Sequence, residues 1–394
     1  MSAVRTAEPT DAVTDPSRRL HISPKRTRQI AGVVVFILFA LFGLPFLLEK
    51  GWVPLPSHTA TSYWIGIFTY VVIYSLVTLG LGLLIGRVGL VSLCQFMLLL
   101  VGSWVAVRFD QLWPWLPYPA VLLIAGLITA AIGTLIGLPA LRLSGLYLAL
   151  ITLMAAAAIT VLLKVQQFPN GGGGFWGVKQ GSPISQIGRP SIALGDTAFY
   201  RYCICVAIVM FLVAFWHVKT KPGRAWAAIR QSEATALSAG VRTTVYKLWA
   251  FALAAFFAGV AGGLLASPPG VNINQLRTQD SIAIYAITLV GGVYTLAGAV
   301  VGGLVFRLVP ALFEQWGIGV EWFTILSGVG ILQVLLTAPG GLAQQVPHDF
   351  GNLGKKMLGA VTGKNRAAKA SAAGSEPVPA PTVVPNIEAA EPTA

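Results

Sequence analysis

Apolar runs free of charge recur along this chain, separated by short polar or basic connections. Ten such runs are legible, at 30–48, 61–86, 88–107, 119–138, 143–163, 202–216, 248–266, 281–293, 296–313 and 322–338, with Arg307 the one charge inside them. The first is 19 residues long, about 28 Å as an α-helix, enough to cross a hydrocarbon layer of about 30 Å. The pattern predicts an all-α, polytopic integral membrane protein of about ten transmembrane helices, with a range of eight to ten. The least regular stretch is 281–313, where Gly291-Gly292-Val293-Tyr294-Thr295 divides two candidate runs; one long helix over the whole stretch, and so nine spans, is the alternative. A 13-residue piece before that divide covers only about 20 Å. It must start earlier, near Gln275, or be shielded by other helices.

The connections divide the chain further. Residues 1–28 are polar and basic and read as a cytosolic tail, and 29–347 form the membrane domain. The 30–48 run exceeds a signal-peptide core and lacks a small-x-small cleavage site, so it reads as an uncleaved anchor. Residues 164–198, with Gly171 to Gly174, Pro183 and Pro190, read as an external loop, and 217–247 as a charged cytosolic loop. Residues 348–394 form a cytosolic tail, Ala/Pro-rich and expected to be largely disordered. With ten spans and the N-terminus inside, 19 basic residues fall on the inner side against 7 outside, with Arg307 within a span. That asymmetry follows the positive-inside rule and puts both termini in the cytosol.

Composition strengthens the membrane assignment. The chain of 394 residues is 55% hydrophobic and 10% charged, with mean hydropathy +0.74, whereas soluble domains carry roughly 25% charged residues. The net charge of +13 lies between apolar runs rather than beside aromatics on a soluble face, which excludes nucleic acid as the partner. Cys94, Cys203 and Cys205 form neither a CxxC nor a ligand cluster, so no disulfide frame or metal site is expected.

Small residues recur at four-residue spacing in Gly82/Gly86, Gly133/Gly137, Ala255/Gly259/Gly263 and Gly298/Gly302. On a helix this spacing makes a flat side against which a neighbouring backbone packs closely. Gly86 and Gly89 bracket Arg87 and suit a helix break that would expose half-helix termini near a substrate. Ser92, Gln95, Tyr285 and Thr288 are the candidate pathway residues, each also a normal interhelical hydrogen-bond residue. Arg307 is the one clearly intramembrane charge; Asp280, Glu314 and Glu321 sit at span ends and the four histidines outside the spans. Ion-driven carriers need buried Asp, Glu or His, and membrane enzymes need a clustered constellation. Neither pattern is present, and no catalytic residue is assigned.

The loop Gly223-Arg-Ala-Trp-Ala-Ala-Ile-Arg-Gln-Ser-Glu-Ala-Thr-Ala-Leu-Ser-Ala-Gly240 is the most informative stretch. As one helix it places Trp226, Ile229 and Leu237 on one side, with Arg224, Arg230 and Glu233 beside them. Such an amphipathic segment either lies on lipid or docks into a partner's groove. Its Gly223-Arg224-Ala225, Ala228-Ile229-Arg230, Glu233 and Gly240 resemble the cytoplasmic loop of the branched-chain amino acid permease family of ABC importers, the LivH/LivM type. Glu233 to Gly240 is seven residues, where the general importer motif has six. Leu138-Pro-Ala-Leu-Arg-Leu-Ser-Gly-Leu-Tyr-Leu-Ala-Leu-Ile-Thr-Leu153, Gly291-Gly292 through Gly298 and Gly302, and Ala338-Pro-Gly-Gly-Leu342 resemble the same family. The chain departs from the family's Gly-Gln-x-Ser-x-Gly-His, reading Gly89-Leu-Val-Ser-Leu-Cys-Gln95.

The resemblance implies the permease subunit of an ATP-driven importer in the bacterial inner membrane, working by alternating access on branched-chain or other hydrophobic amino acids. It implies that the 223–240 loop is the coupling helix seated in an ATPase subunit. No Walker A pattern occurs in the sequence. This chain is therefore expected to bind no cofactor of its own, with ATP and Mg on the partner ATPase. The other implied partners are a second, LivH-like permease, an extracytoplasmic substrate-binding protein and membrane lipid. A urea or short-amide importer permease is the nearest alternative, and an ion-coupled secondary transporter the alternative of another class.

Overall fold

The computed structural model describes residues 39–49, 61–140, 145–165, 187–267 and 279–317, with isolated positions at 37, 143, 319, 322, 325, 326, 328 and 329. The two tails, residues 166–186 of the expected external loop, and most of the 322–338 run lie outside the described residues.

Every regular element among the described residues is helical. A π-helical turn, Phe39–Gly43, opens α1 (Leu44–Glu49). Helix α2 (Thr61–Leu83) runs on into a second π-helical turn, Leu84–Val88. There follow α3 (Gln95–Leu112), α4 (Tyr118–Ala140), α5 (Leu146–Val165) and α6 (Asp196–Lys219). The polar loop folds as α7 (Lys221–Gln231) and α8 (Glu233–Ser238). The last three are α9 (Thr243–Leu265), α10 (Gln279–Gly291) and α11 (Leu296–Gln315).

Five helical stretches among the described residues are long and apolar enough to cross a membrane: Ser62–Val88, Tyr118–Pro139, Asp196–Lys219, Thr243–Leu265 and Leu296–Gln315. Two shorter apolar helices, Tyr147–Leu163 and Asp280–Gly291, accompany them. The expected count of ten is not reached among the described residues.

Several boundaries move. The run expected from 88 starts its helix only at Gln95, leaving 89–94 outside regular structure. The run expected at 202–216 extends from Asp196 to Lys219, because Asp196 in the first turn and His217 and Lys219 in the last suit the helix dipole. The 281–313 stretch is two helices: Thr295 caps α11 by accepting from the Gly298 N–H at 3.1 Å. Helix α10 is 13 residues long and is shielded, with Ser281, Ile284, Ala286, Ile287 and Thr288 all buried.

Helix α9 is the hub, lying against α2, α3 and α4. Its inward faces carry alanine and glycine, so backbones rather than side chains meet. A Cβ on Gly262 would stand 2.0 Å from the Leu99 carbonyl oxygen, and one on Gly102 2.6 Å from the Gly259 Cα. Ser103 Oγ uses this approach to donate to the Gly262 carbonyl at 2.8 Å. Gly133, from the four-residue pattern, meets Ala255 of α9. Alanine at such a contact forces the helices apart, at a cost of about 1–3 kcal/mol.

Helix α11 lies along α2 in the same way. Thr78 Oγ1 donates to the Ala299 carbonyl at 2.7 Å, and Gly302 faces the Thr78 methyl. Arg307 of α11 places its guanidinium 4.8 Å from the Tyr70 ring centre, which gives the intramembrane charge an aromatic face.

Candidate functional site

The polar loop between α6 and α9, expected to be the coupling segment, is folded onto its own chain. Gly223 is needed where α6 turns into α7, since a Cβ there would lie 2.0 Å from the Val218 carbonyl oxygen. Along α7, Trp226 and Ile229 are one turn apart and both turn inward. Trp226 is 0% exposed, and its Nε1 donates to the Tyr246 carbonyl in the first turn of α9 at 2.9 Å. Arg224 is exposed.

The single helix expected over 223–240 is in fact two. Ser232 takes an extended backbone, φ −161° and ψ 122°, and its hydroxyl accepts from the Thr235 N–H. A serine with this geometry starts a new helix rather than continuing an old one. The break turns Leu237 away from Trp226 and Ile229, so the three do not share a side: Leu237 is 55% exposed. Glu233 sits in the first turn of α8 and forms an ion pair with Lys247 of α9 at 2.6 Å. Gly240 closes α8 in the left-handed region at φ 78°, and Val241 N–H donates back to the Ala236 carbonyl at 3.0 Å.

The loop meets two glycine-rich junctions. Arg230, exposed at the end of α7, donates through Nη1 to the Gly86 carbonyl. Its guanidinium also lies 4.5 Å from the Tyr294 ring centre. Arg87 Nη2 donates to the Tyr294 carbonyl at 3.2 Å. Gly86 is pressed against the other junction so closely that a Cβ would fall 1.9 Å from the Val293 carbonyl oxygen. Gly298 in turn faces the Gly292 carbonyl, and Gly291 faces Gly298 and Gly302. The six glycines expected at breaks or packing contacts (Gly86, Gly89, Gly291, Gly292, Gly298 and Gly302) therefore cluster around the ends of α2, α10 and α11.

Gly89 ends the π-helical turn at φ 82°, its N–H donating to the Leu84 carbonyl. The non-helical 89–94 stretch leads from there into α3. Leu93 N–H is held by Thr152 Oγ1 of α5 at 3.0 Å, a contact with no local sequence signal. Ser92 is buried, with Oγ 3.3 Å from Cys94 Sγ. Gln95, the first residue of α3, is 1% exposed. Both of its amide atoms lack a hydrogen-bond partner among the described residues. A buried amide left unpaired costs about 1–3 kcal/mol, so this residue is not explained by packing alone. No side chain caps the start of α3.

Tyr285 and Thr288 stand on α10, which touches α2 and α3. Thr288 uses its hydroxyl on the Ile284 carbonyl at 2.6 Å, and Tyr285 is half-buried against the core. Among the described residues, no group of three or more His, Cys, Asp or Glu is placed to hold a metal ion.

Comparison with known proteins adds to this geometry. The profile of a family described as the permease component of branched-chain amino acid transport systems matches residues 63–335. The chain is similar to the high-affinity branched-chain amino acid transport system permease protein LivM of Salmonella typhimurium, 26% identical over 335 residues that make up 76% of this chain and 71% of that one. It is similar to LivM of Escherichia coli, 26% identical over 346 residues, 78% of this chain and 74% of that one. A shorter likeness joins it to the autoinducer 2 import system permease protein LsrC of Salmonella typhi, 28% identical over 170 residues, 42% of this chain and 48% of that one. No solved structure matches the chain.

Proposed function

The chain belongs to the family of permease components of branched-chain amino acid transport systems, and on that premise we propose that it is the membrane subunit of an ATP-driven importer. Its cargo is a branched-chain or other hydrophobic amino acid. It sits in the inner membrane with both termini in the cytosol and about ten spans. Its ATPase subunits, a second LivH-like permease and an extracytoplasmic binding protein are separate chains. ATP and Mg act on the ATPase partner.

The observation that carries this reading is the folded polar loop between α6 and α9. It is anchored by Trp226 and bears an exposed outer surface of Arg224, Ala227, Ala234 and Leu237. A loop that served only to link two helices would need no buried tryptophan. The pair of short helices offers a preformed, mostly small-residue surface with one large apolar side chain, suited to a groove on another protein. Energy delivered there reaches the helix break at 84–95, where Ser92 and Gln95 lie, with Tyr285 and Thr288 on α10.

Gln95 supports the substrate class. Its buried amide, unpaired among the described residues, lies at the start of α3, where the helix dipole favours a carboxylate. An amide can both donate to a carboxylate and accept from an ammonium group. The likeness to LsrC, an autoinducer 2 import permease, over part of the chain favours a second reading, import of a cargo like autoinducer 2. The test is purification of the chain from a membrane expressing the whole gene set, followed by uptake of labelled leucine in vesicles. An ATP-hydrolysing subunit should co-purify, and uptake should require ATP. Leucine uptake sustained by an ion gradient in vesicles without any ATPase would replace this reading with a secondary carrier.

A further inference from the structure

Three segments distant in sequence meet at Arg230. The π-helical turn Leu84–Val88 ends α2 at Gly89, whose N–H closes back on the Leu84 carbonyl, and the last carbonyl groups of a helix have no partner within it. Arg230 supplies one of the missing donors, to the Gly86 carbonyl, and brings positive charge to the negative end of that helix. The same guanidinium covers the Tyr294 ring in the turn that precedes α11, and Arg87 ties that turn back to α2 through the Tyr294 carbonyl. One side chain from α7 thus holds the end of α2 and the start of α11 together. Trp226, one turn before Arg230 on the same side of α7, and Ile229 beside it are buried, so the arginine stands on an anchored helix.

We propose that Arg230 is the positioning residue that carries movement of the cytosolic loop into the helix break ahead of α3, by its bond to the Gly86 carbonyl and its stacking on Tyr294. The proposal rests on the importer reading and adds the linkage inside the subunit. Arg230 acts on this chain, while ATPase docking belongs to the surface around Leu237. The π-helical turn suits the receiving end, since such turns mark places where a helix shifts register at functional sites. Six residues beyond Gly89 stands Gln95, so displacement of this turn reaches the candidate pathway directly.

The test uses the complete transporter, with its ATPase, companion permease and binding protein, in proteoliposomes with labelled leucine as the probe. Arg230→Ala should keep the ATPase bound and its hydrolysis within about twofold of the parent while uptake falls about tenfold, the size expected when coupling through packed elements is lost. Arg230→Lys, which keeps a cation and a donor, should recover part of the uptake, and Tyr294→Leu should resemble Arg230→Ala. A readout independent of cargo is maleimide labelling of Ser92→Cys in a cysteine-free background, with and without vanadate trapping. Labelling should respond to vanadate with Arg230 present and stay constant with Arg230→Ala. Dissociation of the ATPase by Arg230→Ala, parallel loss of uptake and hydrolysis, or vanadate-responsive labelling without Arg230 would overturn the proposal. A parent complex that carries no ATPase would overturn the importer reading, and the proposal with it. An intact complex indifferent to Arg230 would overturn the proposal alone.

Discussion

The two short helices of the cytosolic loop differ in what they bury. Helix α7 turns Trp226 and Ile229 into the chain and binds the indole N–H to the base of α9. Helix α8 buries Ala236 and leaves Leu237 exposed. Both were drawn from one amphipathic stretch, yet one half is packed into the chain and the other faces outward. A tryptophan in such a loop is easily taken for the anchor of a partner contact, since aromatic residues dominate interfaces. Here its burial assigns it to folding, and the docking surface proposed above is left to the exposed side chains around Leu237.

The largest effect that tests this contrast is Trp226→Ala. It should destabilise the isolated chain by about 3–5 kcal/mol, as large-to-small changes in a core do. Thermal unfolding of the detergent-solubilised chain without any partner would detect it. An unchanged midpoint combined with lost ATPase association would put Trp226 in the interface and erase the distinction. Next in size, Leu237→Asp should weaken ATPase co-purification about tenfold or more, because a charge replaces an interface side chain. It should leave the chain's own stability within about 0.5 kcal/mol. Equal losses of stability for the two variants would collapse the comparison.

The smallest effect belongs to the ion pair that ties α8 to α9. Glu233→Gln removes the contact with Lys247, whose partner carboxylate is 51% exposed. Solvent screening limits such a pair to about 0.2–1 kcal/mol. The difference between parent and variant should shrink further as salt rises. A large, salt-insensitive loss would mean that α8 is held to α9 as firmly as α7 is.

Much of the membrane architecture was legible because lipid imposes length and apolarity on each helix, as in α2, α4 and α9. The divide at Gly291–Thr295 was legible only as one of two alternatives, since paired glycines interrupt an apolar run that could also be one long helix, and the Thr295 cap decides it. The gap at 89–94 was not: Leu90, Val91 and Leu93 kept the stretch apolar while Gly89 had already turned the backbone. The break at Ser232 carried a local signal, a serine three residues before Thr235, masked by the alanine-rich helix formers around it. At the candidate site, single positions were legible and their partners were not. Arg230 and Gly86 stand 144 residues apart, and Leu93 meets Thr152 across 59 positions, both contacts set by packing. Periodicity describes one helix at a time and carries no information on which two will meet.

The bond from the Trp226 indole to the Tyr246 carbonyl also bears on how the transporter is put together in the cell. It closes the loop using this chain's own groups, so the loop has its shape as soon as α9 is in place. On the importer reading proposed above, an ATPase meets a finished shape and need not act as a template for it. Association of two finished shapes loses less conformational freedom than folding upon contact. Newly made permease should therefore capture its ATPase quickly, and a surplus of permease should persist as a folded orphan rather than as a substrate for membrane proteases.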